Sequence, residues 1–315
     1  MDILLVAVGL VGLFFGGNLF VQAAVRLAGS FSISALVIGL TVVAIGTSMP
    51  EMIVSVGAAT TGSSDIALGN VIGSNIANIG LIIGLVALIK PFGVNVRMIR
   101  REIPLLIGVT AMSYVLLFDG RLSQADGVLL VVGAVAYLGW MVMSACELPN
   151  AGAQPEQTDP PASSKRIAEG IRLIVGLLIL LAGARLTVDG AIELARTVGI
   201  SELVIGITLV ALGTSLPELV TSVVAARRGE NDIALGNVVG SNIANLLLIL
   251  GVTAVIQPIP VADHVIRLDA LVMAGFALLL IPFVLDRQIS RREGAMFVTA
   301  YMGYTLFLFL VRDVS

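Results

Sequence analysis

Charge is what this sequence has least of. Only 12% of its 315 residues are Asp, Glu, Lys or Arg, about half the share of an ordinary soluble domain. So few ions cannot cover a water-facing surface, and 57% hydrophobic residues place the chain in lipid. There is one cysteine, Cys146, which excludes an intrachain disulfide. There is one histidine, His264, which weakens any histidine metal site or Ser-His catalytic arrangement. The net charge is only −3 and no basic tract occurs, so nucleic acid is not an expected partner. Alternating ten-residue strands are missing too, which sets a transmembrane barrel aside. The apolar N-terminus lacks the basic start of a signal peptide and reads as a retained first span.

What the sequence has instead is apolar runs. They fall at 3–27, 34–60, 66–89, 102–118, 126–147, 169–195, 201–226, 233–256, 267–285 and 294–312. Stretches of about 20 apolar residues are long enough to cross about 30 Å of hydrocarbon as helices, and frequent Gly and Ala suit close helix packing. The expected fold is an all-α integral membrane protein of ten transmembrane helices. One polar, Pro- and Ser-rich stretch, 148–168, reads as a cytoplasmic linker. It divides the chain into 1–147 and 169–315, five spans each.

The two halves are copies. Residues 33–91 lie over 200–258 without a gap, and about two thirds of the pairs are identical. The likeness is densest over 39–79 and 206–246. With five spans per copy the second must enter the membrane from the opposite side, giving inverted repeats. The positive-inside rule gives the orientation. With both termini outside, the inner loops hold Arg26, Lys90, Arg97, Arg100, Arg101, Lys165, Arg166, Arg172, Arg227, Arg228, Arg287, Arg291 and Arg292, against Arg121, Arg196, Arg267 and Arg312 outside. The expected location is the cell (inner) membrane, multi-pass.

The strings VVAIGTSMPEM and LVALGTSLPEL each put a glutamate, Glu51 and Glu218, near the centre of a span. A charged side chain there costs at least a few kcal/mol and usually faces a partner or a water-filled cavity. No basic residue lies nearby in sequence. Two carboxylates facing each other would repel unless cations or protons sat between them. Pro50 and Pro217 lack the N–H that would bond the carbonyls of Gly46 and Gly213, and a bared carbonyl inside protein can coordinate a cation. Thr47 and Thr214 stand four residues ahead of the glutamates, on the same helix face, and Ser48 and Ser215 add oxygen. These are hard ligands, suited to Ca2+ or Na+.

A second string is doubled, DIALGNVIGSNIAN and DIALGNVVGSNIAN. Asn70, Ser74 and Asn78, and again Asn237, Ser241 and Asn245, make a polar stripe at four-residue spacing, expected to face the glutamates. Asn70 and Asn237 read better as braces between helices than as ligands. Asp65 and Asp232 read as caps of the following helices, Arg185 and Asp189 as an i,i+4 pair, and Trp140 as a packing or lipid-facing residue.

At these motifs the chain resembles the sodium/calcium exchanger family, a branch of the calcium:cation antiporters. GTSMPE and GTSLPE, with GNVIGSNIAN and GNVVGSNIAN, look like that family's two alpha repeats. The resemblance implies that the second, third, seventh and eighth helices form the core and that the first and sixth slide as a gate. It implies Ca2+ and Na+ at Glu51 and Glu218, with oxygen from Thr47, Thr214, Ser48 and Ser215 and from the carbonyls of Ala44 and Ala211. Ser74 and Ser241 would line Na+ positions, and Asn78 and Asn245 the centre. Asn245, where potassium-dependent relatives carry Asp, argues against K+ co-transport.

The expected activity is exchange of inward Na+ for outward Ca2+, by a monomer, with no cofactor and no enzyme chemistry; the alternative is an H+/Ca2+ antiporter. A passive cation channel and an intramembrane hydrolase at Ser48 or Ser215 fit the duplicated glutamates and the lack of a histidine within any apolar run less well.

Overall fold

The computed structural model describes residues 2–145, 163–197 and 211–312. Cys146, positions 148–162 of the linker and the first part of the 201–226 span lie outside the described residues. The first half contains α1 (Asp2–Ser30), α2 (Ala35–Thr47), α3 (Met49–Thr60) and α4 (Ser64–Ile89). It continues with α5 (Ile103–Leu117), entered through a π-helical turn at Met98–Glu102, and α6 (Gln124–Ala145). The second half contains α7 (Ser163–Thr197), α8 (Ala211–Thr214), α9 (Leu216–Arg228), α10 (Asn231–Ile256), α11 (Val265–Val284) and α12 (Arg291–Arg312).

Local chemistry sets these ends. Gly229, at φ 85°, adopts the left-handed conformation that closes a helix, and Glu230 N–H donates back to Ala225 O at 2.9 Å. Before α6, Ser123 and Asp126 form a reciprocal box: Ser123 N–H donates to Asp126 Oδ2 at 2.8 Å and Asp126 N–H to Ser123 Oγ at 3.2 Å. Ser290 and Glu293 repeat it before α12.

Asp65 and Asp232 differ from their expected capping role. The N-cap positions are Ser63 and Glu230, neither with a side-chain cap bond. The aspartates sit inside the first turn, where only the dipole favours them, and Asp232 Oδ2 accepts from Asn95 Nδ2 at 3.1 Å. The exposed Arg185–Asp189 pair forms as expected, at 3.6 Å.

Among the described residues six helices, α1, α4, α6, α7, α10 and α11, are long and apolar enough to cross a membrane; α2 with α3, bent by 44°, makes a seventh if the pair is one span. The most apolar windows of α4 and α10 are 72% buried, against 28% for α1 and 22% for α7. The first pair therefore forms the centre, and the second keeps a wide face for lipid.

α1 and α7 meet backbone to backbone along glycines. A Cβ on Gly183 would stand 2.5 Å from Leu13 N, and one on Gly176 2.6 Å from Phe20 N. Two short antiparallel ribbons tie the halves together outside the helices. Phe92–Gly93 pairs with Gln288–Ile289, and Arg121–Leu122 with Ile259–Pro260.

A buried ion pair sits at the start of α5. Arg97 Nε donates to Glu102 Oε1 at 3.1 Å, and the carboxylate is fully buried. Arg97 Nη2 also donates to Ser144 Oγ at 3.0 Å, with the guanidinium 5.9 Å from the Trp140 ring centroid. Removing one member of such a pair strands the other, at about 3–5 kcal/mol. Glu102→Ala is therefore expected to lower the thermal unfolding midpoint in detergent far more than Asp189→Ala, whose exposed pair contributes little.

Candidate functional site

The site begins where two helices break. Ser48 leaves helical geometry (φ −82°, ψ 8°) between α2 and α3, and Pro50 falls in the first turn of α3, the one place in a helix where its missing N–H does no harm. Glu51 shares that turn. Ser215 (φ −89°, ψ 5°), Pro217 and Glu218 repeat the arrangement ahead of α9. Both carboxylates thus lie at positive helix ends, which favour negative charge. They are 1% and 0% exposed.

Each break serves the glutamate of the other copy. Ser48 Oγ donates to Glu218 Oε1 at 2.9 Å, and Ser215 Oγ donates to Glu51 Oε1 at 3.1 Å. Thr47 and Thr214 also reach across to the other copy, each to an asparagine rather than to a glutamate. Sequence spacing predicts each threonine on its own glutamate's face. The bend at Ser48 and its counterpart at Ser215 breaks that four-residue register. Thr47 Oγ1 instead donates across to Asn237 Oδ1 at 3.0 Å, and Thr214 Oγ1 to Asn70 Oδ1 at 3.4 Å.

One oxygen of each carboxylate, Glu51 Oε2 and Glu218 Oε2, has no protein partner. Neither forms an ion pair among the described residues. A buried anion left this way is costly unless a positive charge meets it. Among the described residues no three His, Cys, Asp or Glu gather as a metal cluster. A cation here would take two carboxylates and neutral oxygens, a donor set that fits Ca2+ or Na+.

The second doubled string supplies those neutral oxygens and their bracing. Asn70 Nδ2 donates to Glu51 O at 3.1 Å and to Ser55 Oγ at 2.9 Å; Asn237 Nδ2 donates to Glu218 O at 3.3 Å and to Ser222 Oγ at 3.0 Å. These asparagines brace the broken helices, as their sequence reading favours. Ser215 Oγ lies 3.4 Å from Ser74 Oγ, and Ser241 Oγ donates to Ala44 O at 3.4 Å. Ala44 O also accepts from Ser48 N–H at 3.1 Å. Ala211 opens α8, and its side chain lies outside the description.

Asn78 and Asn245 begin π-helical segments, Asn78–Ile83 and Asn245–Ile249. Such widened turns re-aim side chains and recur at functional sites. Asn78 Nδ2 donates to Asn242 Oδ1 at 2.9 Å, whereas neither polar atom of Asn245 has a protein partner.

Sequence reasoning passed over Ser55, Ser222, Asn75 and Asn242. The signal was present, since Ser55 and Ser222, and Asn75 and Asn242, stand in register in the two copies. Asn75 and Asn242 lie off the four-residue stripe and so escape a search for one helix face, whereas Ser55 and Ser222 continue the spacing that joins Thr47 to Glu51 and Thr214 to Glu218.

A family model described as sodium/calcium exchanger protein matches residues 1–143 and 170–310. The inner membrane protein YrbG of Escherichia coli (strain K12) is 42% identical over 258 residues, covering 81% of this chain and 79% of its own. The sodium/calcium exchanger MaX1 of Methanosarcina acetivorans is 34% identical over 347 residues, covering 99% of each. A solved structure of the sodium-calcium exchanger NCX_Mj, soaked with zero Na+ and Ca2+, matches at a TM-score of 0.84 and 37% identity over 96% of both chains. A match across both halves, at this identity and coverage, is more than a shared fold: the chain belongs to the sodium/calcium exchanger protein family.

Proposed function

We propose that this chain exchanges Na+ for Ca2+ across the cell membrane, with Na+ entry driving Ca2+ out. One observation carries the reading. Two fully buried carboxylates from two copies of one motif sit at a shared junction, each with an oxygen that no protein group satisfies. Their two negative charges balance one Ca2+ or two Na+, so the ions compete for the same oxygens. Asn245 is neutral and adds no third charge. Thr47, Ser48, Thr214, Ser215, Ser74, Ser241, Asn78, Asn245 and the carbonyls of Ala44 and Ala211 complete the proposed ligand set.

In this reading α5, α12 and the α8–α9 segment also cross, giving ten spans as two inverted repeats, 1–147 and 169–315, with both termini outside. A working monomer is part of this reading. The site is not equally covered from both ends. Gly69 is exposed and Asn70 half-buried, while their counterparts Gly236 and Asn237 are buried. One end open and the other sealed is what alternating access requires. Two bare carboxylates would oppose crossing the barrier, so ion loading permits the α1–α7 pair to slide.

Purified protein in liposomes, with Na+, K+ and H+ gradients imposed separately, tests this. Ca2+ uptake is expected to follow the Na+ gradient and to ignore the other two. Uptake that follows the pH gradient and ignores Na+ would reassign the chain to H+/Ca2+ exchange.

A further inference from the structure

The direct hydrogen bonds to the glutamates, and those from the threonines beside them, obey the two-copy symmetry, and those at the centre of the core break it. Ser48 to Glu218 has its mirror in Ser215 to Glu51, and Thr47 to Asn237 has its mirror in Thr214 to Asn70. Deeper in, Asn78 Nδ2 donates to Asn242 Oδ1 at 2.9 Å, and Asn242 Nδ2 donates to the Asn75 carbonyl at 3.2 Å. A shift of 167 positions turns the first bond into Asn245 Nδ2 to Asn75 Oδ1. That bond is not made. Its donor and its acceptor are both buried atoms without a protein partner, although the residues are 0% and 1% exposed. Asn75 Nδ2 turns back instead onto Val71 O of its own helix, at 2.7 Å.

A buried amide leaves hydrogen-bonding groups unpaired only at a cost of about 1–3 kcal/mol. Here the unpaired atoms include one donor and one acceptor that the symmetry assigns to each other. An inverted repeat reaches its opposite-facing state when the two copies exchange conformations. We infer that Asn75 and Asn242 are positioning residues that work in alternation. In the state seen here Asn242 bridges to Asn78 and leaves Asn245 free at the centre. In the opposite state Asn75 swings from Val71 O to bridge Asn245, and Asn78 is released. The central amide of one copy is thus held while that of the other is free, and the pair changes places with each crossing. This rests on the alternating-access reading above, but on neither Na+ nor Ca2+ as cargo.

The two bridges favour opposite states, so their removal has opposite effects. Loss of one amide–amide bond is expected to change the ratio of the two states about fivefold. Asn242→Ala moves the population away from the state described here, Asn75→Ala moves it further toward that state, and the double variant returns to within about twofold of the parent. Hydrogen–deuterium exchange on the full-length protein in nanodiscs reads the ratio, through the amides of 64–70 against those of 231–237. Asn242→Ala should protect the first segment and expose the second; Asn75→Ala should do the reverse.

Equal shifts in one direction, or no shift in either folded variant, would overturn the proposal. If either single variant is too unstable to purify, Asn75→Ser and Asn242→Ser, which leave less of a cavity, carry the same opposite expectations. Liposomes of the parent run beside these samples separate the two claims. Absent Na+-driven Ca2+ uptake with intact opposite shifts would remove the cargo assignment and leave the alternation standing.

Discussion

Glu51→Gln is expected to abolish Na+-driven Ca2+ uptake in reconstituted liposomes, lowering the initial rate at least about 100-fold, the equivalent of ~2.7 kcal/mol. Glutamine keeps the size of the side chain and the carbonyl that accepts from Ser215 Oγ, so packing is nearly preserved. What disappears is half the negative charge of a site with no ion-pair partner among the described residues. Truncating one member of a buried charge pair typically costs 2–5 kcal/mol, and Ca2+, with twice the charge of Na+, loses more. Glu218→Gln carries the same expectation, because its carboxylate stands in the mirror position and accepts from Ser48 Oγ. Ca2+ binding by titration calorimetry should weaken in parallel. Full Na+-driven flux in either variant would remove the basis of the site.

Gly183→Val should stop transport by a different route. Its Cβ would meet Leu13 N at 2.5 Å, with Gly12 C and Gly9 O at 2.8 Å. All three are backbone atoms and cannot turn aside as a flexible side chain would. α1 and α7 must therefore separate along their seam, and a pair proposed to slide as one unit no longer does so. None of these atoms belongs to the glutamate site. Flux is expected to fall at least about tenfold while Ca2+ affinity of the folded protein stays within about twofold, a split that distinguishes lost movement from lost binding. Gly170→Val, on the same helix with no heavy atom within 4 Å, is the control and should transport normally.

Much of this architecture was legible in the sequence because membrane helices are written in composition. Apolar runs expected at 66–89 and 233–256 appear as Ser64–Ile89 and Asn231–Ile256, and the two broken strings do carry the buried glutamates. α7 begins earlier than expected, at Ser163, because polar Ser, Lys and Arg extend a helix beyond the bilayer as readily as they form a linker.

The wiring of the site was not legible. Spacing places Thr47 beside Glu51, but only the bend at Ser48 turns that hydroxyl toward the other copy. Asn75 and Asn242 escaped notice because a pattern of four finds one face, and their work is done across the copies. Arg97 read as an inner-loop charge, yet it folds back onto Glu102, Ser144 and Trp140. No local signal says that a charge will be buried with its partner.

The claim on which the rest depends is that the unsatisfied oxygens of Glu51 and Glu218 hold one divalent cation between them. Anomalous diffraction from crystals soaked in Sr2+, collected with and without competing Na+, tests it most directly. A single strong peak is expected at coordinating distance, about 2.3–2.6 Å for an ion like Ca2+, from both carboxylates, fading as Na+ rises. Carboxylates turned apart, with the peak elsewhere or unmoved by Na+, would contradict it.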